Sequence, residues 1–514
     1  MTEITRRDVL GGAALLAAGA AGVAALPHHH PHQHPHPHQH ADPDPNQHRH
    51  HQHPHHGRGR GPNWDALARR LHGRLLRPGD PGYTAASVPY NRRYAAIRPG
   101  GVALCADTAD VQTALAWARA YDVPFAARSG GHSYAGYCAS RGLVISLAPM
   151  RSIRVDRRAL TVTLGAGTRN RDLYAGLAGT GVAVPSGRCP TVGVSGLLLG
   201  GGFGFSSRHL GLTCDQLLET EVVTASGRAL RVSPVEQPDL FWACQGGGGG
   251  NFGINTRFTV RATPVGRVAV YRLAWPWRDA RTAVSAMLDL VATAPGRLSC
   301  RIGLGVSGGG PATGGSPKRT VNALGLFFGR AEELEGLLAP VLTVARPSEQ
   351  VVEELSYLAA QAALAHNVPF DRFASRSRFL DQPDVDTAIR WLERWPGSSN
   401  PGGAGVTLFA WGGAIARVDP AATAFAHRGQ AYLMDSETTW TARDSRRVVA
   451  AGLDWLDGMY RALAPRGQAY QNFIDPSLAH WPAAYYGQNL ARLIDVKRRY
   501  DPDRVFRFPQ AVPG

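Results

Sequence analysis

Apolar and polar positions divide the chain into a long polar beginning and a folded remainder of mixed elements. Asn63 is placed to cap a helix whose apolar side carries Trp64, Leu67, Leu71 and Leu75. A strand is predicted over 101–105. A helix over 108–121 follows, with Val111, Leu115 and Ala118 on one face. Apolar runs at 123–127, 143–147 and 160–164 read as further strands. Beyond residue 261, strands are predicted at 268–273, 322–328, 406–411 and 431–438, and helices at 283–292 and 448–462. Strands and helices alternate without a regular strand–helix–strand repeat, which predicts an α+β fold.

The polar beginning reads as address and spacer. Arg6 and Arg7 precede an apolar, Ala- and Gly-rich stretch ending at Leu26. A twin arginine before a mild apolar run predicts a Tat-type signal peptide over 1–26, export, and a mature protein in the cell envelope or outside it. The run is too short and weak for a stable membrane span. Residues 27–62 hold 14 of the 20 histidines, interleaved with proline and glutamine. Such a segment cannot build a core and predicts a disordered linker. Its imidazoles bind zinc, copper or nickel in solution. No catalytic metal is implied.

At 514 residues the chain is long enough for two cores. The net charge of +16 accompanies no Lys/Arg run with interleaved aromatics and no reader motif, so it does not point to nucleic acid. The six cysteines have neither zinc-site nor disulfide-framework spacing. The 60 glycines cluster in short motifs, which predicts loops with close backbone approach.

Four segments carry candidate chemistry. The first is Arg128-Ser129-Gly130-Gly131-His132-Ser133. The second starts at Cys189-Pro190-Thr191-Val192-Gly193 and runs through Gly196 to Gly200-Gly201-Gly202. The third spans 239–253, with five successive glycines from Gly246. The fourth begins at Tyr485-Tyr486-Gly487-Gln488-Asn489. Glycine-rich loops let backbone N–H groups converge on an anion, so 129–133 after a strand suits a pyrophosphate. The spacing matches neither the Rossmann fingerprint nor the phosphate-binding Walker loop.

In this order, the segments resemble the berberine-bridge-enzyme-like oxidases of the vanillyl-alcohol-oxidase type. That resemblance implies a PCMH-type, two-subdomain FAD-binding domain over 63–262, completed by 466–514, and an α+β substrate domain with an antiparallel sheet over 263–465. It implies FAD held covalently twice, by His132 to the flavin 8α-methyl and by Cys189 to flavin C6. Arg128, Ser129, Gly130, Gly131, Ser133, Val192, Gly193, Gly196, Gly201, Gly202, Tyr486 and Asn489 fall in its cofactor-binding segments. Val192 matches a position gating oxygen, where a small β-branched residue goes with oxidases giving hydrogen peroxide.

Oxidising an alcohol needs a hydride acceptor and a base. Tyr470 resembles the family's substrate-facing tyrosine and is the candidate base. Asp435 and Glu437, two apart on a predicted strand, share a face, and one of them is the candidate helper. Trp411, Tyr432 and Trp440 are candidates to stack on a sugar or aromatic ring. His427 and Arg428 read as structural. A dehydrogenase with another electron acceptor, or a secreted metal-binding protein acting through its histidines, remain as alternatives.

Overall fold

The computed structural model describes residues 61–309, 315–366, 371–463 and 467–514. The predicted signal peptide and the histidine-rich segment up to residue 60 lie outside the described residues. The fold is α+β.

The first helix, Trp64–Arg70, is capped by the Asn63 side chain, as the pattern predicts, but it stops early. Leu75 belongs to a short strand, Arg74–Leu76, antiparallel to Gly101–Leu104. The reason lies at Gly73, where a Cβ would stand 1.9 Å from the Leu104 carbonyl oxygen. The Asp110 carboxylate takes the N–H groups of His72 and Gly73, holding the chain in this turn. Gly101–Leu104, Leu143–Ser146 and Phe125–Arg128 continue this sheet in parallel. Helix Thr108–Ala120, capped by Asp107, buries Val111, Leu115 and Ala118 as its spacing predicts.

A second, antiparallel sheet orders its strands Ile153–Asp156, Thr161–Gly165, Ile254–Arg261, Leu217–Val223 and Ala229–Val232. One continuous core spans both sheets and takes in Tyr485, Tyr486, Leu493 and Val496 from near the C-terminus. That last segment is pinned by a buried ion pair. Lys497 Nζ lies 2.6 Å from Asp501 and donates to the carbonyls of Asn251 and Phe506.

The third sheet has seven antiparallel strands, in the order Glu349–Ser356, Arg267–Trp275, Lys318–Phe327, Arg301–Ser307, Ala404–Ala410, Tyr432–Trp440 and Arg372–Leu380. Along Arg301–Ser307, Ile302, Leu304 and Val306 join a core with helices Ala280–Thr293, Ala331–Val344 and Arg446–Leu463. The alternate residues face the opposite way, toward the first two sheets. Arg376 ties the two halves together, reaching Asp475 at 2.9 Å. Among the described residues, no helix is long and apolar enough to cross a membrane.

Candidate active site

A cleft of about 340 Å3 lies between the glycine loops, the C-terminal segment and the open face of the seven-stranded sheet. Its floor is backbone. Loop 129–133 leaves strand Phe125–Arg128 and meets the loop after Cys189 with no room for side chains. A Cβ on Gly130 would stand 2.2 Å from Gly193 N, and one on Gly193 would stand 2.3 Å from Ser129 Oγ. Gly131 has φ +76°, which favours glycine. A Cβ on Gly196 would meet nothing within 4 Å. The Ser129 hydroxyl donates to Ala166 O, and Ser133 Oγ accepts from Tyr137 N–H, so both serines brace the loop.

His132 and Cys189 both border this cleft. The His132 ring stacks on Tyr90, with centroids 3.7 Å apart, and Nε2 lies 2.9 Å from Thr191 Oγ1. Burial, reinforced by Arg169, holds the imidazole pKa down to about 3, so the ring is neutral and keeps a lone pair. All six cysteines are free, and Cys189 alone is not fully buried. Burial pushes its thiol up, while neighbouring Arg188 works the other way. Val192 borders the cleft one turn on.

Asp435 and Glu437 project from strand Tyr432–Trp440 into the same cleft. Ser375 donates to Asp435 Oδ1 at 2.5 Å. Burial is the main cause raising both carboxyls, Asp435 to about 6 and Glu437 to about 8; the charge of Asp435 adds to the rise at Glu437. Because the charge of Asp435 bears on the ionisation of Glu437, the two acids titrate as a pair. Arg188 and Arg301 oppose the rise at both.

Tyr470 borders the cleft but is not joined to these acids. Its oxygen accepts from Gly202 N–H and from Asn472 Nδ2, each at 3.0 Å. Burial pushes its phenol well up, and the two donors only partly offset this. Tyr470 is therefore a protonated hydroxyl at neutral pH. The expectation that Asp435 or Glu437 activates Tyr470 is corrected: the partners of Tyr470 are nitrogen donors, and the acids stand as a separate pair.

The flavin ring system, ribityl chain and pyrophosphate of FAD need a long cleft where backbone can approach closely. These residues fit that need: Gly130, Gly193 and Gly196 line the cleft, with the neutral His132 ring beside them. The comparisons with known proteins agree. The FAD binding domain profile matches residues 99–233, and the berberine and berberine-like profile matches 469–513. An uncharacterized FAD-linked oxidoreductase of Bacillus subtilis, YgaK, is 33% identical over 86% of this chain and 97% of its own. The chain belongs to the berberine-bridge-enzyme-like family. It is an FAD-linked oxidoreductase. Among solved structures, BBE-like 1 of Physcomitrella patens superposes with a TM-score of 0.77, at 28% identity over 88% of this chain and 99% of that one. Xylooligosaccharide oxidase from Myceliophthora thermophila, in complex with xylobiose, gives 0.74, at 26% identity over 87% and 98%.

Several residues expected at the cofactor of this berberine-bridge-enzyme-like protein stand behind the cleft instead. The Arg128 guanidinium turns away to the carbonyls of Cys138, Ala86 and Ser87. A Cβ on Gly201 would meet the Phe425 ring, and Gly202 reaches the site only through Tyr470. Asn489 donates to the carbonyls of Pro420 and Thr423, anchoring the loop before Phe425. Tyr486 does border the cleft, with its hydroxyl on Gly247 O. His427 and Arg428 are structural: His427 Nε2 is 2.8 Å from Tyr485 O, and Arg428 forks onto Asp215 at 2.8 and 2.9 Å.

The proposed stacking aromatics are also corrected. Tyr432 and Trp440 have the opposite strand parity from Asp435 and Glu437, so they face away from the cleft. Trp411 lies past its strand, buried beside Phe203 and Phe379. The aromatics that do border the cleft include Tyr90, Tyr134, Phe203, Phe409 and Phe473. Arg188, Arg301 and His366 border it too and were not singled out from the sequence.

Proposed function

We propose that this enzyme oxidises an alcohol group of a sugar or related small molecule, with the Asp435–Glu437 pair taking the hydroxyl proton. The observation that carries the reading is the carboxyl pair facing the same cleft as His132, Cys189 and the glycine floor. FAD, when bound, accepts the hydride from the carbinol carbon. The chain supplies the rest. His132 and Cys189 would hold the cofactor, the imidazole through a ring nitrogen and the cysteine through its sulfur. Tyr470, whose lone pairs are taken by Gly202 and Asn472, offers its O–H to the substrate oxygen. Asp435 and Glu437, on the same cleft and raised to about 6 and about 8, are matched to accept a proton near pH 7. Sugar oxidases among the relatives, named for xylooligosaccharide and carbohydrate, support a carbohydrate substrate. The leader sequence supports export of the folded, loaded protein by the twin-arginine route. Chain segments 63–262 with 466–514, and 263–465, act as cofactor and substrate domains.

The test is anaerobic mixing of the yellow enzyme with xylobiose, cellobiose, galacturonate, gluconate and aromatic alcohols. One of them bleaches the flavin, and admitting oxygen restores colour with one hydrogen peroxide per turnover. No bleaching by any of them overturns the reading. Val192 leaves open the space that a leucine would fill, so Val192→Leu slows reoxidation by about tenfold, equivalent to ~1.4 kcal/mol of barrier. Stopped-flow reoxidation reads this directly. Slow reoxidation in the wild type assigns the enzyme to the dehydrogenases.

The acid pair also sets a pH dependence. A base must be ionised, and the folded-state pKa of Asp435 is raised to about 6. Its working form is therefore lost as pH falls through that value, and kcat/KM declines on the acid side with a midpoint near pH 6. In Asp435→Asn the charge that raises Glu437 is gone, and the midpoint of Glu437 moves down from about 8. A pH profile identical in wild type and Asp435→Asn shows that another group titrates.

A further inference from the structure

Four charged side chains meet at the sheet end of the cleft: Arg188, Arg301, Asp435 and Glu437. They influence one another electrostatically. Yet among the described residues no ion pair within 4.0 Å joins either arginine to either acid; the ion pairs of the protein lie elsewhere. Arg301 is held by neutral partners, Asn322 Oδ1 at 2.7 Å and Thr407 Oγ1 at 3.1 Å. Its Nε is buried with no hydrogen-bond partner. The strand makes room for it, since a Cβ on Gly303 would stand 2.5 Å from its Nη1. Arg188 lies with its guanidinium 5.4 Å from the centre of the Phe409 ring, again on a neutral surface. His366, whose backbone N–H donates to Arg188 O, is held neutral by burial and by the two arginines, with a pKa of about 3. It adds no charge.

The balance is cationic. Two guanidiniums are permanently charged, while two close carboxyls resist ionising together. A cleft with such an excess, its arginines braced by neutral groups, is built to meet an anion that arrives from outside. We propose that Arg188 and Arg301 form an anion subsite and that the alcohol oxidised here carries a carboxylate, as a sugar acid does. This rests on the alcohol-oxidising reading above. The planar fork of arginine matches a carboxylate with two parallel hydrogen bonds. The substrate carboxylate then sits on the arginines, while its hydroxyl faces Asp435 and Glu437, so that the two ends of the substrate meet opposite charges and only one orientation is favourable.

The experiment uses the flavin-loaded protein under anaerobic conditions: a shift of its visible absorbance reports binding, and for any compound that bleaches the flavin the concentration giving half-maximal reduction rate is read instead. Acid and neutral partners are titrated in pairs: galacturonate with galactose, gluconate with sorbitol, benzoate with benzyl alcohol. At low salt the acid member binds more tightly in each pair, and added sodium chloride shrinks its advantage. Arg188→Gln weakens the acids by about 10- to 100-fold, the loss of a charge-assisted hydrogen bond. It leaves the neutral members within about twofold, whereas Arg188→Lys retains most of the preference. Arg188 is the first choice because its guanidinium rests on a ring, and Arg301→Gln repeats the test on the second cation. The subsite is overturned if no acid binds more tightly than its neutral partner, or if Arg188→Gln weakens both members equally. The two proposals fail separately. Acid binding that depends on Arg188 without bleaching by any alcohol overturns only the oxidation chemistry. Bleaching by neutral sugars with binding indifferent to Arg188 overturns only the subsite.

Discussion

Replacing both His132 and Cys189 by alanine strips the purified protein of most of its flavin, whereas either single replacement loses only part. The neutral imidazole and the single incompletely buried thiol stand at the same cleft, on two loops packed backbone against backbone. In the proposed reading each is a separate covalent hold on the same cofactor, so one would suffice to keep it through washing. Acid denaturation of the wild type leaves the yellow colour on the polypeptide. Mass spectrometry of a digest finds flavin on peptides containing His132 and Cys189. Free release of all FAD on denaturation defeats the attachment outright. Retention of full flavin by the double variant does so too, and assigns the hold to non-covalent contacts.

Asp435→Asn combined with Glu437→Gln lowers kcat by about two to four orders of magnitude, the usual range for a lost general base. Flavin content stays unchanged, because neither acid belongs to the glycine floor. Tyr470→Phe costs less, about 10- to 100-fold, since it removes one hydrogen bond to the reacting oxygen and leaves the proton acceptor in place. Single-turnover reduction of the flavin separates these effects from product release. A larger loss in Tyr470→Phe than in the double acid variant transfers the base role to the tyrosine.

The glycine loops were the most legible part of the sequence, because their constraint is local. A residue whose Cβ would stand 2.2 Å from another backbone nitrogen, as at Gly130, has to be glycine wherever it occurs. Helix Thr108–Ala120 and the alternation of Tyr432–Trp440, with both acids on one face, were legible for the same reason. Strand Arg372–Leu380 was not. It reads Arg-Phe-Ala-Ser-Arg-Ser-Arg-Phe-Leu, which has no apolar alternation. It is buried because Arg376 finds Asp475, 99 residues further on, and such a partner leaves no local trace. Arg301 carries a readable signal: Arg-Ile-Gly-Leu-Gly-Val alternates apolar residues with glycines beside one arginine. On a strand that pattern clears one face for a single long side chain. The pairing of Tyr470 with Asn472 was two residues away and equally readable. The separation of Tyr470 from the acids was not, since it depends on how two sheets meet.

The position of Lys497 has a consequence for how the cleft opens. One wall of it is latched by a single ammonium, which meets Asp501 and the carbonyls of Asn251 and Phe506. Removing that ammonium leaves the Asp501 carboxylate buried without its cation. Lys497→Met therefore loosens this wall as a unit, and its backbone amides exchange with solvent ahead of those in the two sheets it packs against.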